Sequence, residues 1–169
     1  MIIDGKKIAS FLGREVKKEV IKLKKKKPLL TVFLIGDSPD QISFVKIKSK
    51  IAKKLGIRYK LIHLKTTPNF IIFANKIKDE VNNPEVSGII IQQPLPAQLS
   101  TNSIYNYIPQ YKEIEGHRKK FIFYPPIGLS VLTIIKFIFS GKKSTSVFWL
   151  ILIKIVIFSK KFLRIKKLS

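Results

Sequence analysis

The sequence predicts an α/β domain built on a parallel sheet. Segments with apolar residues at helical spacing alternate with short apolar runs along most of the chain. The connections between these segments are short, as in βαβ units, whose strands lie side by side in parallel. One run, Leu29–Ile35, is apolar almost throughout, which is typical of a strand that is covered on both faces.

The helices are predicted from apolar periodicity and from end signals. Residues 8–27 repeat apolar side chains at helical spacing and stop before Pro28, with lysines in the last turn that suit the helix dipole. Residues 42–55 form a second predicted helix, which Gly56 ends as a C-terminal cap. Its predicted apolar stripe consists of Phe44, Ile47, Ile51 and Leu55. Further helices are predicted over 69–81, 104–108 and 128–139.

Three strands are predicted between these helices, over residues 29–35, 57–64 and 88–91. In a parallel sheet, ligands bind outside the carboxyl ends of the strands. Two unusual loops follow strands at that edge, residues 36–40 and residues 92–96. The prolines of the second loop cannot continue a sheet. The sequence therefore predicts that Gln92 leaves its strand facing a cleft.

The charge of the chain favours an anionic partner but has a simpler explanation. Lys and Arg number 33 against 10 Asp and Glu, which gives a formal net charge of +23. Such an excess favours nucleic acid, an anionic membrane surface or an anionic ligand. Ile, Phe and Asn are also abundant and, like Lys, have A/T-rich codons, so a biased genome explains the charge without selection for binding. The lysines are spread over every segment, which argues against a dedicated nucleic-acid surface.

The sequence carries few signals for a cellular compartment, a membrane segment or a metal site. The chain has no cysteine, which excludes disulfides and thiolate chemistry and fits a reducing compartment such as the cytoplasm. Its start shows no signal-peptide hydrophobic region. The apolar run at 147–158 is shorter than the roughly 20 residues of a spanning helix and contains Lys154, so it is predicted as a core strand. His63 and His117 have no partners at ligand spacing, so no metal site is predicted.

Three blocks of the sequence, in this order and spacing, carry a family resemblance. They read LIGDSPDQISFVKIKSKIAKKLGI at 34–57, GIIIQQPLP at 88–96 and IPQYKEIEG at 108–116. The opening MIIDGKKIA and, more faintly, FYPPIG at 123–128 also match. Over residues 1–143 the chain resembles the bifunctional methylenetetrahydrofolate dehydrogenase/methenyltetrahydrofolate cyclohydrolase family of one-carbon metabolism.

The resemblance implies a substrate and four site residues. The family oxidises methylene-tetrahydrofolate to the methenyl form with NADP and hydrolyses that form to formyl-tetrahydrofolate. Carried onto this chain, the general acid/base lysine is Lys48, and the glutamine that hydrogen-bonds to it is Gln92. The aromatic residue that lies against the folate is Phe44, and the carboxylate that binds the pterin is Glu115.

The residue types suit these roles. Phe44 and Lys48 are four residues apart on a predicted helix and therefore share a face. A lysine that works near neutral pH requires burial or neighbouring cations to disfavour its charged form. Gln92 can bond to that lysine without adding charge, and a carboxylate can accept the adjacent N–H donors of a pterin. A simpler interpretation of Glu115 is a surface ion pair with Lys112 or Arg118.

Several positions depart from the family pattern. The substitutions are Gln41 for serine, Phe44 for tyrosine, Gln93 for leucine, and Glu113 and Glu115 for two aspartates. The phenylalanine expected after the glycine of the third block is missing, so His117 follows Gly116 directly. One added methylene moves each carboxyl group by about a bond length, and displacements of about 1 Å matter at an active site.

The carboxyl-terminal part departs most. The resemblance implies a folate domain over 1–122 and a degenerate start of a Rossmann domain over 123–169. The glycine loop that binds the NADP phosphates in the family is absent after Gly141, so no residue is predicted to bind that cofactor. We expect a chain truncated before this motif, with a tail like a frame-shifted reading. The family dimerises through its nucleotide domain, so a homodimer is doubtful here.

Three functions stay open on the sequence. The first is a folate enzyme that has lost the dehydrogenase step but retains the cyclohydrolase step, because hydrolysis of the methenyl form needs no nucleotide. The second is a non-catalytic relic of that enzyme, since one wall of the family's folate cleft is missing. The third is a basic nucleic-acid-binding protein. The first two imply a folate ligand, no specific nucleic acid and no membrane.

Overall fold

A parallel α/β sheet domain is confirmed. The computed structural model describes residues 4–23, 26–118 and 125–140. The helices are α1 (Gly5–Lys22), α2 (Pro39–Leu55), α3 (Phe70–Asn82) and α4 (Pro126–Ser140). The strands are β1 (Leu29–Ile35), β2 (Arg58–Leu64) and β3 (Val86–Ile91). Two short 3₁₀ helices follow β3, at Ala97–Leu99 and Asn102–Tyr107.

The sheet has three strands in the order β2-β1-β3. β1 is central and pairs in parallel with both neighbours, and its bounds are those predicted. Beyond the named strands, Ile89 of β3 forms a parallel bridge to Glu113, and the Ile89 N–H donates to the Lys112 carbonyl at 2.8 Å. This bridge holds the segment that contains Glu113 beside β3.

Both faces of the sheet are covered, because alternate residues of a strand point to opposite sides. On one face Phe33 and Ile91 pack with Phe73 and Ile77 of α3, and the Phe33 and Phe73 rings meet edge to face at 5.5 Å. On the other face Val32, Leu34 and Ile90 pack with Val45 of α2. β1 is therefore buried on both sides, as its continuous apolar sequence predicts.

The predicted apolar stripe of α2 is wrong. Phe44, Ile47 and Ile51 are 58%, 52% and 52% exposed. The buried face of α2 instead consists of Gln41, Val45 and Ala52. Short side chains at 45 and 52 suit close packing against the sheet and α1, and the Gln41 amide is satisfied by donating to the Pro94 carbonyl at 2.5 Å. The more apolar face of the helix consequently lies outward.

Element ends differ from the predictions by a few residues. α1 ends at Lys22 rather than at 27, since a residue before proline and a run of like charges both disfavour further helix. α2 begins earlier, with Pro39 in its first turn, where proline is favoured. Residues 104–108 lie mostly in a 3₁₀ helix. Gly56 caps α2 with φ 82°, as predicted.

Polar contacts tie the edge strand β2 to the rest of the domain. The Glu80 carboxylate is buried in α3, where it accepts from Thr31 Oγ1 at 3.0 Å and from Lys60 Nζ at 2.5 Å. Arg58 Nη1 donates to Glu85 at 2.9 Å. These pairs add to the parallel pairing with β1, which holds β2 along its whole length.

The predicted core strand at 147–158 lies outside the described residues. Among the helices that are described, none is both long and apolar enough to cross a membrane.

Candidate functional site

The candidate site lies at the carboxyl end of β3, the edge predicted from the strand order. The Gln92 N–H donates to the Phe33 carbonyl at 2.9 Å, which continues the sheet by one residue. Gln92 is 8% exposed, and its Nε2 donates to the Gln93 carbonyl at 2.8 Å. That bond fixes the amide so that Oε1 faces α2.

Lys48 of α2 meets this oxygen. Its Nζ donates to Gln92 Oε1 at 3.0 Å and to Glu115 Oε1 at 3.3 Å. The Lys48 side chain is 30% exposed and that of Glu115 is 19% exposed, so the ammonium group is neither deeply buried nor free in water. Three residues that are distant in sequence therefore meet at one nitrogen. The resemblance implied the bond between Lys48 and Gln92 but not the contact between Lys48 and Glu115.

Phe44 lies one turn before Lys48 on the same helix. Phe44 is largely exposed, so it presents an aromatic surface to solvent on the helix that carries Lys48 rather than contributing to the core. An exposed aromatic face next to a polar cluster is a surface on which a flat ring can stack.

A buried carboxylate shapes the loop that carries Glu115. Glu113 is 3% exposed, and its Oε1 accepts from the backbone N–H groups of Glu115 at 2.8 Å and Gly116 at 3.1 Å. Its Oε2 accepts from Gly116 at 3.0 Å and from the His117 N–H at 3.1 Å. Gly116 has φ 77°, a conformation that glycine adopts without strain. We call residues 113–117 the acidic hook.

The acidic hook is a feature that the sequence reasoning missed. Glu113 was noted only as a substitution for aspartate, whereas it holds three consecutive N–H groups. The signal that points to it is an acid followed three residues later by a glycine, since a side-chain acceptor and a positive φ together close a tight turn.

His117 completes the hook. Its Nε2 lies 3.6 Å from Glu115 Oε2, and its ring stacks on Tyr105 with centroids 4.5 Å apart. The Glu115 carboxylate beside it raises the pKa of His117 above its ordinary value, against an opposing effect of burial. Glu115 thus has a cation or a hydrogen-bond donor at each of its two oxygens.

The simpler pairing of Glu115 with Lys112 or Arg118 is wrong. Lys112 is buried, and its Nζ donates to the carbonyls of Val81 at 2.6 Å and Asn83 at 3.0 Å, at the end of α3. Arg118 Nη1 donates to a backbone carbonyl 2.8 Å away. Proximity in sequence does not predict the contacts of Lys112 and Arg118, because both side chains donate to backbone carbonyl groups that have no hydrogen-bond partner within a helix.

Two substituted glutamines hold the loop after β3. Gln93 donates to the Tyr105 hydroxyl and accepts from the Leu95 N–H at 3.2 Å. The peptide bond between Gln93 and Pro94 is cis. Burial raises the pKa of Tyr105 to about 12, so its hydroxyl stays protonated near neutral pH. Gln41, which donates to Pro94, fixes the same loop from α2.

The starts of α1 and α2 do not fit an NADP phosphate site. The turn from β1 into α2 has a single glycine, Gly36, and Pro39 in the first turn of the helix lacks an N–H donor. α1 begins with the Asp4 carboxylate on its first N–H groups, which would repel a phosphate. Backbone N–H groups at a glycine-rich helix start are what a pyrophosphate requires.

No group of three His, Asp or Glu side chains within residues 4–23, 26–118 and 125–140 is placed to hold a metal ion.

The family model described as tetrahydrofolate dehydrogenase/cyclohydrolase, catalytic domain, matches residues 3–115. This range covers more than half of the chain. The chain belongs to the tetrahydrofolate dehydrogenase/cyclohydrolase family. Lys48, Gln92 and Glu115 lie inside the range that matches, whereas His117 lies just beyond it.

Members of the tetrahydrofolate dehydrogenase/cyclohydrolase family with curated names include the bifunctional protein FolD of Rickettsia akari. It is 37% identical over 118 residues, which are 68% of this chain and 40% of that protein. FolD of Halothermothrix orenii is 38% identical over 120 residues, 68% of this chain and 41% of that protein. The chain therefore spans about two-fifths of the length of the curated relatives that it matches.

A solved structure of the same family confirms the fold. The FolD methylenetetrahydrofolate dehydrogenase/cyclohydrolase of Campylobacter jejuni superposes with a TM-score of 0.74 at 26% identity. The superposition covers 79% of this chain and 51% of the C. jejuni chain.

Proposed function

We propose that this chain binds a tetrahydrofolate derivative and hydrolyses its methenyl form to the formyl form. This is the cyclohydrolase half of the activity named for the bifunctional relatives. The observation that carries the proposal is the Lys48 nitrogen, which is held between Gln92 Oε1 and Glu115 Oε1 at 3.0 and 3.3 Å. The step needs no nucleotide, so it uses only groups that the described residues supply.

Lys48 is the general acid/base in this proposal. Water adds to the methenyl carbon, and Lys48 Nζ takes a proton from that water. The hydroxyl group of the resulting adduct then gives up its proton as the C=O bond forms, the electrons of the breaking C–N5 bond go to N5, N5 takes up a proton, and the carbon stays on N10 as the formyl group. The net change adds one water molecule and releases one proton. A positioned side chain of this kind contributes about 10²–10⁴-fold to a rate.

Gln92 and Glu115 act on Lys48 and on the substrate. The Gln92 amide is anchored by its Nε2 on the Gln93 carbonyl, so it orients the lysine without adding charge. Glu115 can accept two adjacent N–H groups of a pterin when its oxygens are free. The exposed ring of Phe44 stacks against the flat part of the substrate, and this role needs no hydroxyl group.

The test is the loss of absorbance of methenyl-tetrahydrofolate, with buffer as the baseline. Lys48→Ala should lower the enzyme-dependent rate by about 10²-fold or more. The control is Lys50→Ala, since Lys50 is an exposed cation on the same helix, and its rate should match the wild type. Wild-type turnover no faster than that of Lys48→Ala would favour the non-catalytic relic. Salt-sensitive binding to random DNA without folate affinity would favour the nucleic-acid-binding protein.

We also propose that residues 1–122 form the folate domain and that residues 123–169 begin a second, nucleotide-related domain. Both core clusters draw on residues 29–114, which supports a boundary after them. Ile127 and Val131 of α4 are 81% and 50% exposed, which fits a helix outside that core. The starts of α1 and α2 offer no phosphate site, and we expect that NADP added with methylene-tetrahydrofolate gives no NADPH absorbance.

Two further parts of the proposal concern the cellular compartment and the oligomeric state. We place the chain in the cytoplasm, which the lack of cysteine supports. We expect no homodimer, and light scattering coupled to size exclusion checks this expectation.

A further inference from the structure

The Glu115 carboxylate has a basic side chain beside each of its two oxygens. Oε1 lies 3.3 Å from Lys48 Nζ, and Oε2 lies 3.6 Å from His117 Nε2. A carboxylate that accepts two adjacent N–H groups from a ring ligand needs both oxygens along one edge. A ligand that uses both oxygens of Glu115 therefore competes with both of these partners.

The two partners are held differently. Lys48 has a second acceptor in Gln92, so it can turn from Glu115 and remain hydrogen-bonded. His117 is fixed next to Glu115 by the acidic hook, because Glu113 binds the backbone N–H groups of both residues. Its ring is also supported by the stack on Tyr105. The His117 imidazole is thus the part of the chain placed to occupy Glu115 Oε2 when no ligand is present.

We propose that His117 is a positioning residue that lies against one oxygen of Glu115 in the free protein and competes there with a ring that carries two adjacent N–H donors. This inference rests on the proposed function, because a pterin is the ligand of that chemistry. It assigns a role to a residue beyond the range that the family model matches. Affinity for the ligand is then set partly by the strength of the contact between His117 and Glu115.

The strength of this contact depends on pH. The charged and titratable groups that face His117 are Glu115 and Glu113 from its own loop, Lys48 from α2 and Tyr105 from the 3₁₀ helix. Glu115 raises the pKa of His117, so the imidazolium form and the ion pair predominate at low pH. As the pH rises through that raised pKa, the ring loses its charge and holds Glu115 less strongly. Ligand affinity should therefore increase from pH 6 to pH 8.

The first experiment tests the contact without a ligand. The chain has only two histidines, so the ring protons of His117 can be followed by NMR as the pH is raised. In Glu115→Gln the titration midpoint of His117 should fall, because the group that raises its pKa is neutral. The ring of His63 contacts Asp37 and Gly36, away from the hook, so the substitution should not move its signals. An unchanged His117 midpoint in Glu115→Gln overturns the inference.

The second experiment measures the affinity for 5-formyl-tetrahydrofolate by calorimetry at pH 6 and pH 8. Wild-type protein should bind more tightly at pH 8, by up to about five-fold, the range for partly exposed ion pairs. His117→Phe retains an aromatic ring for the stack on Tyr105 but has no N–H, so its affinity should be independent of pH and equal to the higher wild-type value. His117→Gln retains a donor that does not titrate, so its affinity should also be independent of pH but weaker than that of His117→Phe.

The outcomes separate the two proposals. Equal pH dependence in wild type and His117→Phe overturns the role of His117 while folate binding stands. Absence of binding in every variant at both pH values overturns the proposed function and this inference with it.

Discussion

Replacing Glu113 by glutamine should destabilise the domain strongly, although the side chain keeps its size. A carboxylate now serves three backbone N–H groups through two oxygens. A glutamine has one oxygen, which can serve two of these donors, while its amide NH₂ faces the third. The change therefore leaves a buried donor without an acceptor and converts charge-assisted hydrogen bonds into neutral ones.

The expected fall in the free energy of unfolding follows from the lost and the weakened hydrogen bonds. A buried unsatisfied donor costs about 1–3 kcal/mol, and each remaining bond weakens by about 1 kcal/mol when its acceptor loses its charge. Glu113 itself is only 3% exposed, so little water reaches the place of its two oxygens. We expect the free energy of unfolding to fall by about 3–5 kcal/mol.

The assay is urea unfolding followed by circular dichroism. The matched control is Glu115→Gln, the same chemical change two residues along the chain. Glu115 bonds to partly exposed cations, so this control should lose no more than about 1 kcal/mol. Equal unfolding midpoints for the two variants would refute the assignment of Glu113 as the anchor of the acidic hook.

Three further predictions use the same unfolding assay. Gly116→Ala and Gly36→Ala should each lose about 1–2 kcal/mol because both glycines have positive φ, at 77° and 83°. Gly116→Ala should lose more stability, because a Cβ at 116 would lie 3.0 Å from Pro125 Cγ, whereas a Cβ at 36 would have no atom within 4 Å. Equal losses would contradict this packing. Lys112→Met should lose about 2–3 kcal/mol, because two carbonyl groups at the end of α3 lose a charged donor, and a neutral result would show that water replaces it. Burial raises the pKa of Tyr105 to about 12, whereas its pKa in the unfolded chain is near 10. The unfolded chain therefore loses the Tyr105 proton first, so the folded domain loses stability as the pH rises from about 10 towards 12. Tyr105→Phe should therefore lose less stability between pH 9 and pH 11.5 than the wild type, and equal losses would contradict the assignment.

Features that depend on neighbouring residues were predictable from the sequence. The bounds of β1 follow from one continuous apolar run between a proline and a glycine. The cap at Gly56 follows from the need for a positive φ at the end of α2. The meeting of Lys48 with Gln92 was also expected, through the resemblance and through the rule that parallel strands present their loops at one edge.

Features that depend on packing between distant segments were not predictable in the same way. The exposed face of α2 is more apolar than its buried face, so apolar periodicity selects the wrong side. The buried face is decided by fit against the sheet and by the distant acceptor that satisfies Gln41. His117 was likewise missed, since its place beside Glu115 depends on the backbone turn that Glu113 imposes.

The contacts of β2 with two acids have a consequence for strand register. A one-residue slip of a strand moves every side chain to the opposite face of the sheet, and buried apolar residues normally prevent it. Every side chain of β2 is exposed or only partly buried, so hydrophobic burial specifies its register weakly. Lys60 and Arg58 reach Glu80 and Glu85 from one face of the strand only. A slipped strand would leave the buried Glu80 without its cation, so these pairs select the native alignment of β2 against its alternatives.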